Sequence, residues 1–415
     1  VNPRPRLLFV TDVFPFPFDR GQRIRVYNLL LACAKHYEVS FVGPAPQTEA
    51  QAQKLAGLCA HRHYVDAGSD ADSGSDLGAW LHALRAAPGI RRPATVREYL
   101  RYARVLRSLK LDDYDCIWAE RLPLSRLFGG SLAARTIVDL DDLEHVKLRR
   151  SLALQASPLA MLRGLYRYLL YRHGEVHASR RFRAALVCSD DDRRYLAERG
   201  CRNVAVVPNG TLIPEQLPAR VVSPGPLRLV FLGNLGYPPN LDAVRHFADD
   251  ILPVLNTRQA DLRFDVIGPG ADEAPVAALR DRVHFRGFVD DLSLAFAEYD
   301  LFVAPLRVGS GTKLKILDAM SRRLPVVTSS VGAEGLDLID GQHALIANTP
   351  EAFADAILRL QSDAPLRERL ANNAATLVRN RYGWDAINRD TARLLESLQL
   401  KDAATGAWSS GSRSG

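Results

Sequence analysis

The residues best placed to do chemistry cluster in "VGSGTKLKILDAM" (308–320), where an apolar run, "DLFVAPL" (300–306), gives way to small residues, two lysines and an aspartate. Gly309 and Gly311 let an anion approach the main chain with no Cβ in the way. Ser310 and Thr312 offer hydroxyls as donors or helix caps. The first N–H groups of the helix that follows lack internal partners and carry partial positive charge. Lys313 and Lys315 add full charges within a turn, and a diphosphate satisfies all of these groups together. Asp318 lies nearly two turns along, where its carboxylate suits vicinal hydroxyls such as those of a ribose. The spacing reads as a site for a nucleoside diphosphate. A plainer reading stays open, in which Thr312 caps a helix, Lys315 and Asp318 pair at i,i+3, and Leu314, Leu317 and Met320 form a core stripe.

A second group lies in the first half. "VDLDDLEH" (138–145) sets Asp139 and Asp141 in a D-x-D pattern, but oxygen-rich metal sites need more ligands than a triplet supplies, so no metal is expected. Asp141, Asp142 and Glu120 each lie just beyond a predicted strand and are candidates to face an acceptor hydroxyl or act as its base. Arg20, Arg23 and Arg25 suit an anionic acceptor.

Something must hold these groups in place. Strands are predicted at 6–11, 38–43, 115–120, 136–140, 184–189 and 204–209, then at 228–233, 263–268, 301–306, 325–330 and 343–348. Apolar runs like these, with helices between them, indicate parallel strands covered on both faces, a doubly wound α/β arrangement. The proline-rich "TLIPEQLPARVVSPGPLR" (211–228) reads as a linker between two such domains. Ligands of open parallel sheets bind beyond the carboxyl ends of the strands, so the chemistry belongs on the post-strand loops of both halves. Neither "GNLG" nor "GPG" completes a dinucleotide-binding fingerprint.

The 415 residues exceed what one core supports, in agreement with two domains. A net charge of +7 favours an anionic partner, and with no recognisable nucleic-acid module that partner is expected not to be nucleic acid. Five scattered cysteines fit reduced thiols in a cytoplasmic protein. No apolar run approaches the ~18 residues of a membrane span, and the opening "VNPRPRLLFV" reads as a first strand with no signal peptide. The segment 146–183 is basic, with leucines and tyrosines at helical spacing. It fits either an anionic membrane surface or a core-packed helix with a solvated face. "DAGSDADSGSD" (66–76) reads as a solvent loop, and the tail from Lys401 as disordered.

The segment "GSGTKLKILDAM" resembles the donor-site segment of glycosyltransferase family 4, the bacterial exopolysaccharide subgroup in particular. "VFPFPFDRGQRIRVYNLL", "VVPNG", "FLGNLGYPPNLDAV", "VHFRGFVDDL", "LPVVTSSVGAEGL" and "RYGWDAINRDTARLLESL" resemble further family segments in the same order. The resemblance implies the GT-B fold: two Rossmann-like doubly wound parallel-sheet domains facing across a cleft. It places an acceptor-side domain at 1–213, a nucleotide-sugar donor domain at 226–383, a helix returning to the first domain at 384–400, and the tail at 401–415. It implies a retaining, metal-independent sugar transfer, with no cofactor beyond a UDP- or GDP-linked donor as co-substrate. The acceptor would be a polysaccharide or lipid-linked sugar, and the protein cytoplasmic, with peripheral contact at the inner face of the cytoplasmic membrane. A nucleotide-sugar epimerase of the same fold and a non-catalytic binding module are the alternatives.

Carried onto matching positions, Gly309, Ser310, Gly311 and Thr312 hold the diphosphate, Asp318 the ribose, and Gly21 the phosphates from the other domain. Gly233 and Asn234 line the donor site. The family's usual first glutamate is replaced by Ser310, and the Arg and Lys common after the second domain's first strand are missing from "GNLGYPPN". Lys313 and Lys315 are expected to supply that charge. Lys313, Asp318, Glu120 and Asp142 are the residues expected to carry the chemistry.

Overall fold

The apolar runs form strands in the computed structural model, which describes residues 4–18, 20–65, 93–152, 157–221, 225–271, 274–309 and 311–405. Ser310, the 66–76 stretch and the tail beyond 405 lie outside the described residues. The chain divides into two units, Val1–Pro208 with Ile387–Gly415, and Asn209–Ala386.

The first unit is built on β1 (Arg6–Val10), β2 (Glu38–Pro44), β3 (His61–Val65), β4 (Cys116–Glu120), β5 (Thr136–Asp141), β6 (Ala184–Val187) and β7 (Val204–Val206), in the order β3-β2-β1-β4-β5-β6-β7. Every pairing is parallel. The second contains β8 (Leu227–Leu232), β9 (Leu262–Ile267), β10 (His284–Gly287), β11 (Leu301–Ala304), β12 (Val326–Thr328) and β13 (Leu345–Ile346), ordered β10-β9-β8-β11-β12-β13 and again all parallel. Both are Rossmann-like, with the direction of strand order reversing at β1/β4 and at β8/β11, where crevices open in such sheets. The central strands are enclosed: Leu7, Leu8, Phe9 and Val10 in β1, and Leu301, Phe302, Val303 and Ala304 in β11, have no exposed surface.

Two strands, β3 and β10, have no counterpart among the predicted apolar runs, although "VHFRGFVDDL" places β10 by resemblance. Both are edge strands, "HRHYV" and "HFRG", with mostly exposed or half-buried residues. An edge strand is solvated on one side and carries polar residues, so it lacks the apolar signature.

The proline-rich 211–228 stretch is bound to the second unit. Thr211 bridges to Gly383, the Thr211 N–H donates to the Tyr382 carbonyl at 2.8 Å, and the Val221 N–H donates to Ala297 at 2.9 Å. The boundary between units therefore falls at Pro208, ahead of that stretch. The last helix, Trp384–Thr405, continues past Lys401, where the tail was expected to begin. No helix among the described residues is long and apolar enough to cross a membrane.

Candidate functional site

The second unit's candidate site is built where β8 and β11 end. After β11 the chain passes through Gly309 and Gly311, and Gly311 has φ of 72°, a conformation that favours glycine. The helix Leu314–Ser321 follows, held by fully buried Ile316, Leu317, Ala319 and Met320. Ile316, Leu317 and Met320 each contribute about 1.5–3 kcal/mol by burial. Lys313 is the N-cap residue and makes no side-chain cap. Thr312 does not cap either: its hydroxyl is buried with no hydrogen-bond partner among the described residues.

Lys313 is 7% exposed, and its ammonium donates to the Gly311 carbonyl at 2.8 Å. Lys315 turns toward the end of β8. Its Nζ donates to Asn240 Oδ1 and lies 4.4 Å from the centre of the Phe231 ring. A Cβ added at Gly233 would sit 3.0 Å from that Nζ, so the cation stands directly against the β8 loop. Burial pushes the Lys315 ammonium down to about 7, and neighbouring Lys313 pushes it further in the same direction. No carboxylate pairs with Lys315 among the described residues.

Asn240 is placed by the helix Pro238–His246, whose proline start is preset for helical φ. Its amide also donates to the Asn234 carbonyl at 2.7 Å, while Asn234 Oδ1 accepts from the Gly236 N–H. After β9, Gly268 (φ 137°) comes so close that a Cβ there would lie 2.2 Å from the Gly233 carbonyl. Only glycine permits that approach.

Asp318 does not pair with Lys315. It accepts a hydrogen bond from the Thr211 hydroxyl and lies 3.7 Å from Arg322, one turn on. Burial raises its carboxyl, opposed by the Thr211 hydrogen bond and Arg322. Arg322 at i+4 was legible in the sequence, whereas Thr211 and Asn240, at 107 and 75 residues' separation, carried no sequence signal.

In the first unit most of the expected residues are enclosed. Arg25 is 1% exposed and grips fully buried Asp139 with two hydrogen bonds, at 2.7 and 3.0 Å, while also donating to the Val207 carbonyl at 2.9 Å. Arg25 is therefore a core ion pair instead of an acceptor contact, and Asp139 is taken out of the D-x-D pattern. Glu120 is likewise 3% exposed, accepts from the Thr11 hydroxyl, and is pushed up to about 8 by burial against the opposing charge of Arg121. It faces the protein interior, not solvent. Asp142 pairs with Lys147 at 3.0 Å and accepts from the Cys188 thiol. Asp141 (φ 58°), Asp142 and Cys188 have ligand atoms within 4.8 Å of one another, the one such candidate metal-holding group among the described residues.

What faces outward beyond β1 is Asp12, which pairs with Arg121 at 3.0 Å. Asp12 lines a cavity of about 260 Å³ with Phe14, Phe16, Arg20, Gln22 and Arg23. Gly21 is the first residue of the helix Gly21–His36 beside it. Sequence reasoning passed over Asp12, although its place just after a predicted strand was the available signal.

Two family models match the chain: "Glycosyl transferase 4-like domain" over residues 20–210 and "Glycosyl transferases group 1" over residues 226–363. Phosphatidyl-myo-inositol mannosyltransferase of Mycobacterium leprae is 28% identical over 223 residues, 51% of this chain and 59% of that protein. Alpha-D-kanosaminyltransferase of Streptomyces kanamyceticus is 31% identical over 157 residues, 35% of this chain and 40% of that protein. The chain spans about half the length of the curated relatives it matches. Among solved structures, sucrose-phosphate synthase of Thermosynechococcus elongatus superposes with TM-score 0.64 at 16% identity, covering 96% of this chain and 100% of that one. HepE of Anabaena, solved with UDP and glucose, gives TM-score 0.59 at 17% identity over 95% of this chain and 100% of that one. These likenesses show the GT-B fold.

Proposed function

We propose that this chain, a GT-B-fold relative of the glycosyl transferases whose two domain models it matches, moves a sugar from a nucleotide-sugar donor to a saccharide or lipid-linked acceptor with retention of configuration. The observation that carries the reading is Lys315: a half-buried cation with no carboxylate beside it among the described residues, set at the end of β8 next to the glycine turn of β11. A buried charge without a counter-ion is costly, and an arriving diphosphate removes that cost. The Gly309–Thr312 turn adds main-chain N–H groups and the partnerless Thr312 hydroxyl. Asp318 accepts from the ribose hydroxyls.

Breaking the sugar–phosphate bond leaves positive charge on the sugar and negative charge on the diphosphate, an oxocarbenium-like separation. Lys315, charged by proton uptake as the donor binds, stabilises the leaving group in a desolvated setting where such contacts are strong. Lys313 supports the same charge. This division of labour supplies what the "GNLGYPPN" loop lacks. On the acceptor side, Asp12, Arg20 and Arg23 around the first unit's cavity are the groups offered to the incoming sugar, with Gly21 at the adjoining helix start.

The test is a titration with UDP, GDP and their glucose and mannose conjugates, followed by acceptor-dependent release of free nucleotide. One nucleotide should raise thermal stability of the wild type and do so far less for Lys315→Ala. If none binds, or if Lys315→Ala binds as tightly, the reading fails.

A further inference from the structure

A second cavity of the first unit, about 440 Å³, lies at the opposite end of its sheet from the cavity beside Asp12. It forms where strands begin: Ala184 opens β6, and Val204 and Ala205 open β7. Ligands of such sheets are held on loops beyond the carboxyl ends of the strands, so this space is separate from the sites described above. β7 is the last strand of its sheet, and all three of its residues are half-buried. Another wall is the final helix, Trp384–Thr405, whose Leu394, Ser397 and Leu398 fall at i, i+3 and i+4 and so share one face. Alanines at 134, 184 and 205 leave the room between strands and helix unfilled.

The charges around this space have one sign. Arg183 and Arg202 line it beside Asn203, and no carboxylate among the described residues does. Arg202 is exposed and holds no hydrogen bond or ion pair among the described residues. Glu396, next to Ser397 in the helix, lies 3.7 Å from His36. The volume falls within the ~300–1,000 Å³ of small-molecule sites, which combine an apolar lining with a few convergent polar groups. Guanidinium forks match the paired oxygens of a carboxylate or a phosphate. Val204, Leu394 and Leu398 offer an apolar wall to the rest of the molecule.

We propose that this cavity is a second binding site, for a small organic anion. Its carboxylate or phosphate monoester is held by Arg183 and Arg202, and its non-polar part rests on Val204, Leu394 and Leu398. The first unit is completed by Ile387–Gly415, after the chain has passed through the second. An occupant braces that returning helix against the starts of β6 and β7, so it sets how firmly the last segment is held. Nothing in this depends on the sugar-transfer reading: a chain that binds such anions here but no nucleotide sinks only that reading.

The probes are phenyl phosphate, phenylacetate and the uncharged 2-phenylethanol, applied to the full chain in thermal-shift and hydrogen-exchange mass spectrometry experiments. At least one anion should raise Tm, and the alcohol should not. Exchange should slow at 183–184, 202–205 and 390–398. Arg202→Ala should weaken anion binding about tenfold, the scale of one charge-assisted hydrogen bond. Ser397→Phe, which fills the cavity from the helix without changing charge, should abolish it. Both residues are exposed, so far-UV circular dichroism and Tm of the unliganded variants should match the wild type. A response to one anion alone supports the site and tells phosphate from carboxylate. No stabilisation by either anion, equal stabilisation by the alcohol, or unchanged binding in Ser397→Phe overturns the proposal. So does protection confined to 309–320, which would place the anion at the glycine turn of the second unit.

Discussion

In the first unit Arg25, on the helix after β1, is locked to Asp139; in the second, Lys315 meets an amide oxygen and a ring face, with no carboxylate among the described residues. Arg25 is buried and Lys315 half-buried, and both stand on the helix that follows a central strand. Their partners make the difference. Arg25 is neutralised within its own core and serves the fold, whereas Lys315 has no carboxylate partner among the described residues. The same contrast holds for hydroxyls, since Thr11 is bound to Glu120 while Thr312 has no partner among the described residues. A buried polar group left without a partner calls for an explanation, and at a strand end a ligand is one.

The largest expected effect breaks the internally paired side of this contrast. Arg25→Ala leaves Asp139 buried and unpaired, and chemical denaturation should show a loss of about 3–5 kcal/mol. A loss under about 1 kcal/mol would mean that the pair is not structural. Next is Gly268→Ala, whose Cβ would lie 2.2 Å from the Gly233 carbonyl at a φ of 137°. Strain and overlap together should cost on the order of 2–4 kcal/mol by the same measurement.

On the ligand-facing side, Lys315→Ala should weaken nucleotide-sugar binding roughly 10- to 100-fold by calorimetry, the range of a charge-assisted hydrogen bond. The pH dependence sharpens this. Free Lys315 loses its proton as pH rises through about 7, so donor binding takes up a proton above that point. The wild-type Kd should then rise, by up to about tenfold per pH unit, while Lys315→Arg should flatten the profile. The lowered value makes Lys315 a stability cost that is full below about 7 and relieved as pH climbs toward the ordinary 10.5. The smallest effect belongs to Thr312→Val, which removes a buried hydroxyl with no partner. Stability should hold or gain up to about 1 kcal/mol while donor affinity falls, and a loss of stability would show that the hydroxyl serves the fold.

Much of the architecture was legible because parallel central strands are buried on both faces and read as unbroken apolar runs. The edge strands β3 and β10 escaped the apolar reading for the opposite reason, since half of each faces water. Within the site, the Gly309–Asp318 cluster was legible because its residues are neighbours in the chain. Arg25 was misread as an acceptor contact because its partner is 114 residues away. Glu120 looked solvent-facing because it ends a strand, yet the Thr11 side chain and the surrounding core enclose it.

By itself the sequence determined the two parallel-sheet units, the glycine turn before Leu314, and the charges available there, since each is a property of residues close together in the chain. Only the tertiary structure decided which of those charges is cancelled. Whether a buried cation meets a carboxylate or an amide depends on groups that distant strands bring within about 3 Å, and local pattern holds no record of them.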